Sequence, residues 1–341
     1  MVDGRHPPKL HCVVPPLPAL LSLILAAVLL SGCPAPPPDH TKTAIDDSGG
    51  TTSGLDPATV PLTGPCASDV DYGGIDLTAD SEASEVAGSV ADGVVPSTVL
   101  ELLVAEGDCE VLRRNNPYCD PTCDPGETCD FDGTCVPYPA NQDLGTLTLD
   151  GLLAPVEMEP VFPGNTYFNT SLPNPAYTVG SVLTLRMPGG VYGPAELHGV
   201  GVEPLDMTGA AWVIDGGVDF EVTWPPPTGA GVRSEVAVQI SIDQHGVSPS
   251  SLRCVFVDDG AGTVPGSIIQ ALEDVGVTGF PTASIERRTV DHVAIGAGCM
   301  DFRVTAPRTI TSIDVEGHTP CMSDADCPEE LDCNEELQIC E

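Results

Sequence analysis

Four cysteines fall within a short stretch at Cys119-x3-Cys123-x5-Cys129-x5-Cys135, and four more close the chain at Cys321-x5-Cys327-x5-Cys333-x6-Cys340. Segments this short, with Pro and Gly between their cysteines, bury too little apolar surface to hold a shape by packing. Covalent cross-links must define them. Residues 118–140 and 319–341 are therefore expected to be two small disulfide knots, and each admits three pairings on sequence grounds. Neither contains a CxxC pair, which sets them apart from zinc sites. An EF-hand does not fit Asp130-Phe131-Asp132-Gly133, because Gly133 at the sixth loop position puts Thr128 first and Pro139 twelfth, where acids are required. Asp130, Asp132, Asp324 and Asp326, with Asp124, are weak calcium candidates that read better as turn aspartates. No metal site is assigned.

The chain has 14 cysteines. Residues 1–11, MVDGRHPPKLH, carry Arg5 and Lys9 against Asp3, and LPALLSLILAAVLL at 17–30 is uncharged. A basic start, a short apolar run and small residues before a break have the form of a secretory signal, too short to span a membrane. Leu30-Ser31-Gly32-Cys33 resembles the lipobox of bacterial lipoproteins. The resemblance implies a signal peptide over 1–32, cleavage before Cys33, and acylation of Cys33 as the membrane attachment. Pro34 follows Cys33 rather than the Asp associated with inner-membrane retention, so the outer membrane is the expected address, on its periplasmic or cell-surface side. With Cys12 leaving and Cys33 lipidated, twelve cysteines remain. An even number suits a disulfide framework in an oxidising compartment. Cys66 and Cys109 are expected to pair, and Cys254 with Cys299.

Residues 33–60 hold the lipidated cysteine and then a Pro-, Gly-, Ser- and Thr-rich tether without apolar periodicity, long enough to hold a domain ~30 Å from the membrane. In 61–117, TVLELLVAEGDCEVLRRN fits a β-hairpin turning at Gly107-Asp108 better than a helix capped by Ser97. It is expected to pack on the main domain, 141–318. That domain reads as β throughout. Val218, Phe220, Val222 and Trp224 alternate with polar neighbours, as do Val236, Val238, Ile240 and Ile242. Further strands are expected at TLTLD, VLTLRM, LRCVFV, CMDFRV and TSIDV. Many strands with one polar face each indicate a mainly β fold, a two-sheet sandwich. The run FEVTWPPPTGAG before an alternating strand is similar to immunoglobulin- and fibronectin-like domains in that one place. A single short helix is expected, with Ser267 as its cap and Gly276 as its stop.

Taken together, the lipobox, the acidic tether, NNPYCDPTC, GETC, GTCVPYP, CVFVDDGAGTVP and the C-terminal cysteine tail resemble a set of myxobacterial cysteine-rich lipoproteins. The resemblance implies the layout and no activity.

The formal net charge is −38, and removing residues 1–32 makes it about −39. Such a chain does not bind nucleic acid through charge. Catalytic motifs are absent: no HExxH, GxSxG, P-loop or GxGxxG is present. His40, His198, His245, His292 and His318 form no close pair in sequence. Asp243 and His245 share a strand face, but a strand end and turn cap explain them better; Asp258-Asp259-Gly260 reads likewise as a turn. Tyr167, Phe168, Tyr177 and Tyr192 are candidate aromatic platforms for a glycan. The expected function is a non-enzymatic binding or structural module at the cell envelope, with no cofactor, and with the membrane and a surface protein or glycan as partners. The alternatives are an envelope hydrolase with a site in strand-end loops, and a calcium-stabilised adhesion module.

Overall fold

The computed structural model describes residues 55–79, 82–205, 207, 211–229, 233–242, 249–310 and 313–341, and the side chains of all these except 307–310. The signal region, Cys33, most of the tether, Asp243 and His245 lie outside the described residues. No helix among the described residues is long and apolar enough to cross a membrane.

The fold is mainly β. In chain order the strands are β1 (Asp71–Ala79), β2 (Ser84–Val90), β3 (Leu100–Glu106), β4 (Cys109–Arg114), β5 (Glu127–Cys129), β6 (Cys135–Pro137), β7 (Leu147–Asp150), β8 (Val156–Met158), β9 (Tyr167–Asn169), β10 (Val182–Met187) and β11 (Ala195–Val200). They continue with β12 (Trp212–Ile214), β13 (Phe220–Thr223), β14 (Glu235–Ser241), β15 (Ser250–Val257), β16 (Ala261–Val264), the helix α1 (Gly266–Glu273), β17 (Thr282–Ile295), β18 (Gly298–Ile310), β19 (Ile313–Val315), β20 (Cys333–Asn334) and β21 (Ile339–Cys340).

Nine strands form one sheet in the order β3-β4-β15-β14-β17-β18-β1-β2-β9, and four form a second in the order β11-β10-β7-β8. The large sheet is mixed: β1 runs parallel to β18, with Ile75 opposite Phe302, whereas β17 and β18 form a long antiparallel hairpin. The segment 61–117 was expected to lie on the domain as a hairpin. The hairpin exists as β3 and β4, but the segment also supplies β1 and β2, so it is woven into the sheet near both ends. Its alternation gives no sign of this, because a strand's partner is set by distant sequence. The run FEVTWPPPTGAG departs from its expected hairpin in the same way: β13 pairs with β16, while β14 pairs with β15 and β17.

Strand alternation builds two cores on one face of the large sheet. Ile75, Leu77, Phe302 and Val304 face Leu147, Leu149, Leu183 and Leu185 of the small sheet. Val236, Val238, Ile240, Ile242, Leu252 and Ile285 pack with α1 and with Trp212 and Trp224. The helix is shorter than its expected span and starts after Pro265 rather than at a Ser267 cap; the Ser267 hydroxyl donates instead to Glu106 Oε2 at 2.5 Å. Pro265 has a fixed φ suited to the helix entrance. Ile268, Ile269 and Leu272 are its buried face, and Gly276, at φ +118°, provides the left-handed residue that ends the segment.

Between the two cores, β17 carries a buried polar row. Ala283 and Ile285 belong to one core and Ile295 to the other, while Arg287, Thr289 and Asp291 on the same face are nearly inaccessible. This row stitches the outer edge of β11 to the sheet. Thr289 Oγ1 accepts from Val200 N at 3.0 Å and donates to Val200 O at 3.1 Å, and Asp291 Oδ2 accepts from His198 N at 2.9 Å. Side chains here do what a neighbouring strand would otherwise do for an open edge.

Candidate functional site

All twelve cysteines between Cys66 and Cys340 are in disulfides. The two knots share one connectivity, first to third and second to fourth: Cys119–Cys129 with Cys123–Cys135, and Cys321–Cys333 with Cys327–Cys340. Each also closes on a minimal antiparallel ladder whose register partners are cysteines, Cys129 with Cys135 and Cys333 with Cys340. The expected pairs Cys66–Cys109 and Cys254–Cys299 are not formed. Cys109 bonds to Cys254, its direct partner across β4 and β15, and Cys66 bonds to Cys299. Proximity in sequence misled here, because the sheet sets neighbours by strand order.

The acidic residues of the knots serve backbone turns. Asp132 Oδ1 accepts from Thr134 N and Thr134 Oγ1, Asp130 Oδ1 from Phe131 N, Asp324 Oδ1 from Cys333 N, and Asp326 Oδ2 from Met322 N and Ser323 N. These hydrogen bonds hold the Asp132 and Asp326 carboxyls below the usual carboxylate range. Among the described residues, the close groups of potential metal ligands consist of Cys119, Cys123 and Cys129, of Cys321, Cys327 and Cys340, and of Cys66 with Asp71 and Asp301. Disulfide sulfurs are not thiolate ligands.

Two expectations change. Tyr167 and Tyr177 are core residues, their hydroxyls donating to Gly145 O and Val202 O, and so do not offer platforms; Phe168 is exposed. Asp258 is not a solvated turn residue. It is buried, receives Arg287 Nε at 2.6 Å and Trp224 Nε1 at 2.8 Å, and forms an ion pair inside the molecule. Only Asp259 stays in an exposed turn.

The structure assembles two groupings that sequence reading did not find. In the first, His198 on β11 lies between carboxylates, with Nε2 3.4 Å from Glu196 Oε1 and Nδ1 4.0 Å from Asp291 Oδ2. Arg186 Nε holds Glu196 at 2.6 Å, and Thr63 donates both N–H and hydroxyl to Asp291 Oδ1. The alternation of Glu196 and His198 was legible; the arrival of Asp291 from β17 was not. With only 9 % of its side chain exposed, His198 is closed to a substrate, and the array acts as a lock between the segment around Thr63, β17 and β11.

The second grouping is a shallow hollow of about 420 Å³ beside the Cys66–Cys299 bridge, lined by Pro65, Ala67, Val70, Ala294 and His292. Residues 61–66 run along β17 beyond its ladder with β14, with Gly64 N donating to Val290 O at 3.1 Å and His292 N to Thr63 Oγ1 at 2.8 Å. Cys66 N then donates to Asp301 Oδ1. Asp301 and Asp76 beside it are raised above the usual carboxylate range by burial, partly offset by Arg303. No protein-family model matches the chain, and no curated protein is detectably similar to it.

Proposed function

We propose that this chain is an exported lipoprotein, fastened to the outer membrane through Cys33, whose disulfide-stapled β domain acts as a non-enzymatic binding or structural module at the cell envelope. The observation that carries the reading is the complete pairing of Cys66 through Cys340 in six bridges. A framework of this density suits an oxidising compartment, and with two of its bridges in each knot it gives small segments a fixed shape for display. The shielding of His198 supports a structural rather than a catalytic role for the array around it. The partner is a protein or glycan at the cell surface.

Metabolic labelling with a fatty acid, followed by protease treatment of intact cells and mass spectrometry of the released peptides, tests the proposal. Label on the wild-type chain and none on Cys33→Ala, with release of sandwich peptides from intact cells, is the expected result. Equal labelling of the variant would overturn the anchor, and protection until the outer membrane is opened would overturn surface display.

A further inference from the structure

We infer that the Cys66–Cys299 bridge is a thiol-exchange site, at which the adjoining hollow receives a small aliphatic thiol and His292 serves as its base. Three observations converge there. Cys66 is partly exposed, its partner Cys299 is 7 % exposed and the bridge lies at the wall of the hollow, whereas Cys109 and Cys254 are 2 % and 0 % exposed inside the core. The hollow, at about 420 Å³, is of a size for a small molecule and far too small for a folded domain. His292 lines it, and its ring has a fixed tautomer. Nδ1 lies 2.8 Å from Gly64 O, a carbonyl that can only accept, so Nδ1 carries the proton and Nε2 is the basic nitrogen.

The chemistry follows from this placement. A thiol RSH entering the hollow gives its proton to His292 Nε2, and the resulting thiolate attacks one sulfur of the bridge. The carboxylates of Asp71 and Asp301 lie within 4.8 Å of the Cys66 sulfur. Cys66 is the more accessible half of the bridge, Cys299 being 7 % exposed, so attack falls on Cys66 and expels Cys299. The new bond is RS–Sγ of Cys66, the bond broken is Cys66–Cys299, and the Cys299 thiolate takes the proton back from His292. No external oxidant is consumed: one thiol enters, one mixed disulfide and one protein thiol result. The walls at Pro65, Ala67, Val70 and Ala294 favour an aliphatic body, and the net charge of −38 disfavours an anionic one. The charged groups facing His292 are Asp301, directly opposite it on β18, with Asp71 and Arg303 alongside.

The test uses the full mature chain exposed briefly to cysteamine, 2-mercaptoethanol or mercaptoethanesulfonate at matched thiolate concentration, followed by alkylation and peptide mapping. Cysteamine attached at Cys66 with alkylated Cys299, ahead of the other five bridges and several-fold faster than the sulfonate, is the expected outcome. First exchange at a knot bridge overturns the proposal. His292→Gln should slow exchange roughly tenfold at ~pH 7 and not at all near ~pH 9.5, since about 3 % of a thiol with pKa ~8.5 is already thiolate at ~pH 7 and a base can add at most roughly 30-fold. A purely structural His292 would give the opposite sign, because loosening residues 61–66 would speed exchange at every pH. Ala294→Leu, which narrows the hollow while leaving His292 in place, should slow exchange across the whole pH range, and unchanged rates in that variant likewise overturn the assignment.

Discussion

Arg287 Nε donates to Asp258 Oδ2 at 2.6 Å with both side chains almost wholly removed from solvent, at 1 % and 2 % exposure. The guanidinium also donates to Pro225 O and Glu203 O, and the carboxylate also receives Trp224 and Ser234. Desolvating both charges is costly, and the pair stands because nearly every donor and acceptor is used. Removing one partner strands the other. Arg287→Ala should therefore lower stability by about 3–5 kcal/mol, whereas the joint replacement Arg287→Met with Asp258→Leu should recover part of that loss, since it removes the stranded charge but leaves Trp224 Nε1 without its acceptor. Denaturant unfolding of the three chains measures both; equal stability of Arg287→Ala and wild type would show that the pair is wetter than its geometry indicates.

Thr289 separates hydrogen bonding from shape. Its hydroxyl is both acceptor and donor for the Val200 peptide groups at the edge of β11. Thr289→Val keeps the volume and orphans a buried N–H and a buried C=O, so a loss of about 2–4 kcal/mol is expected. Thr289→Ser keeps the hydroxyl and should cost about 1 kcal/mol for the missing methyl group. Hydrogen exchange at Val200 N–H should rise in the Val variant and stay slow in the Ser variant. Similar exchange in the two would mean that the edge is held by packing alone.

Local features were legible in the sequence and pairings were not. Alternation at Val236 to Ile242 located β14 and marked Val236, Val238, Ile240 and Ile242, all fully buried, and Gly107-Asp108 located the turn between β3 and β4. These depend on neighbours two to four residues away. The partner of Cys66, by contrast, lies 233 residues along the chain, and that of Cys109 lies 145 along. Each is decided by which strands adjoin, a consequence of the whole core. The same distinction explains Asp258, whose Asp-Asp-Gly context looks like a solvated turn until Arg287 arrives from β17. His198 and Asp291 were invisible as a pair for that reason too.

The knots should be acid-sensitive through Asp132 and Asp326. Both carboxyls lie below their usual range because the folded knot donates hydrogen bonds to the ionised form. A folded-state pKa below the unfolded one contributes stability above ~pH 4, which is lost as pH falls through the folded value. Protection of the Ser323 and Thr134 amides, relative to their intrinsic exchange at each pH, should fall in that acid window while the amides of β14 and β17 stay protected. Asp326→Asn should flatten the pH dependence at Ser323. Uniform protection down to the acid limit in wild type would rule out the aspartate bonds as the source of knot order.

At the alkaline end Tyr177 contributes through its buried phenol. Its ring is buried in the core of the two sheets, and its hydroxyl donates to Val202 O at 3.3 Å. Burial pushes the phenol up to about 12 from 10. The folded state therefore favours the neutral phenol. Its contribution is intact below the unfolded value of ~pH 10 and is lost as pH rises through about 12, a difference of two units or roughly 3 kcal/mol. Two observations follow. Tyr177 should remain without phenolate absorbance at a pH just above the ordinary phenol value of ~10. Tyr177→Phe should start about 1 kcal/mol less stable at neutral pH, from the lost hydrogen bond, and then lose less stability than wild type between ~pH 10 and ~pH 12. If the two chains decline in parallel over that interval, the alkaline transition belongs to other groups, and Tyr177 ionises only after the core has already opened.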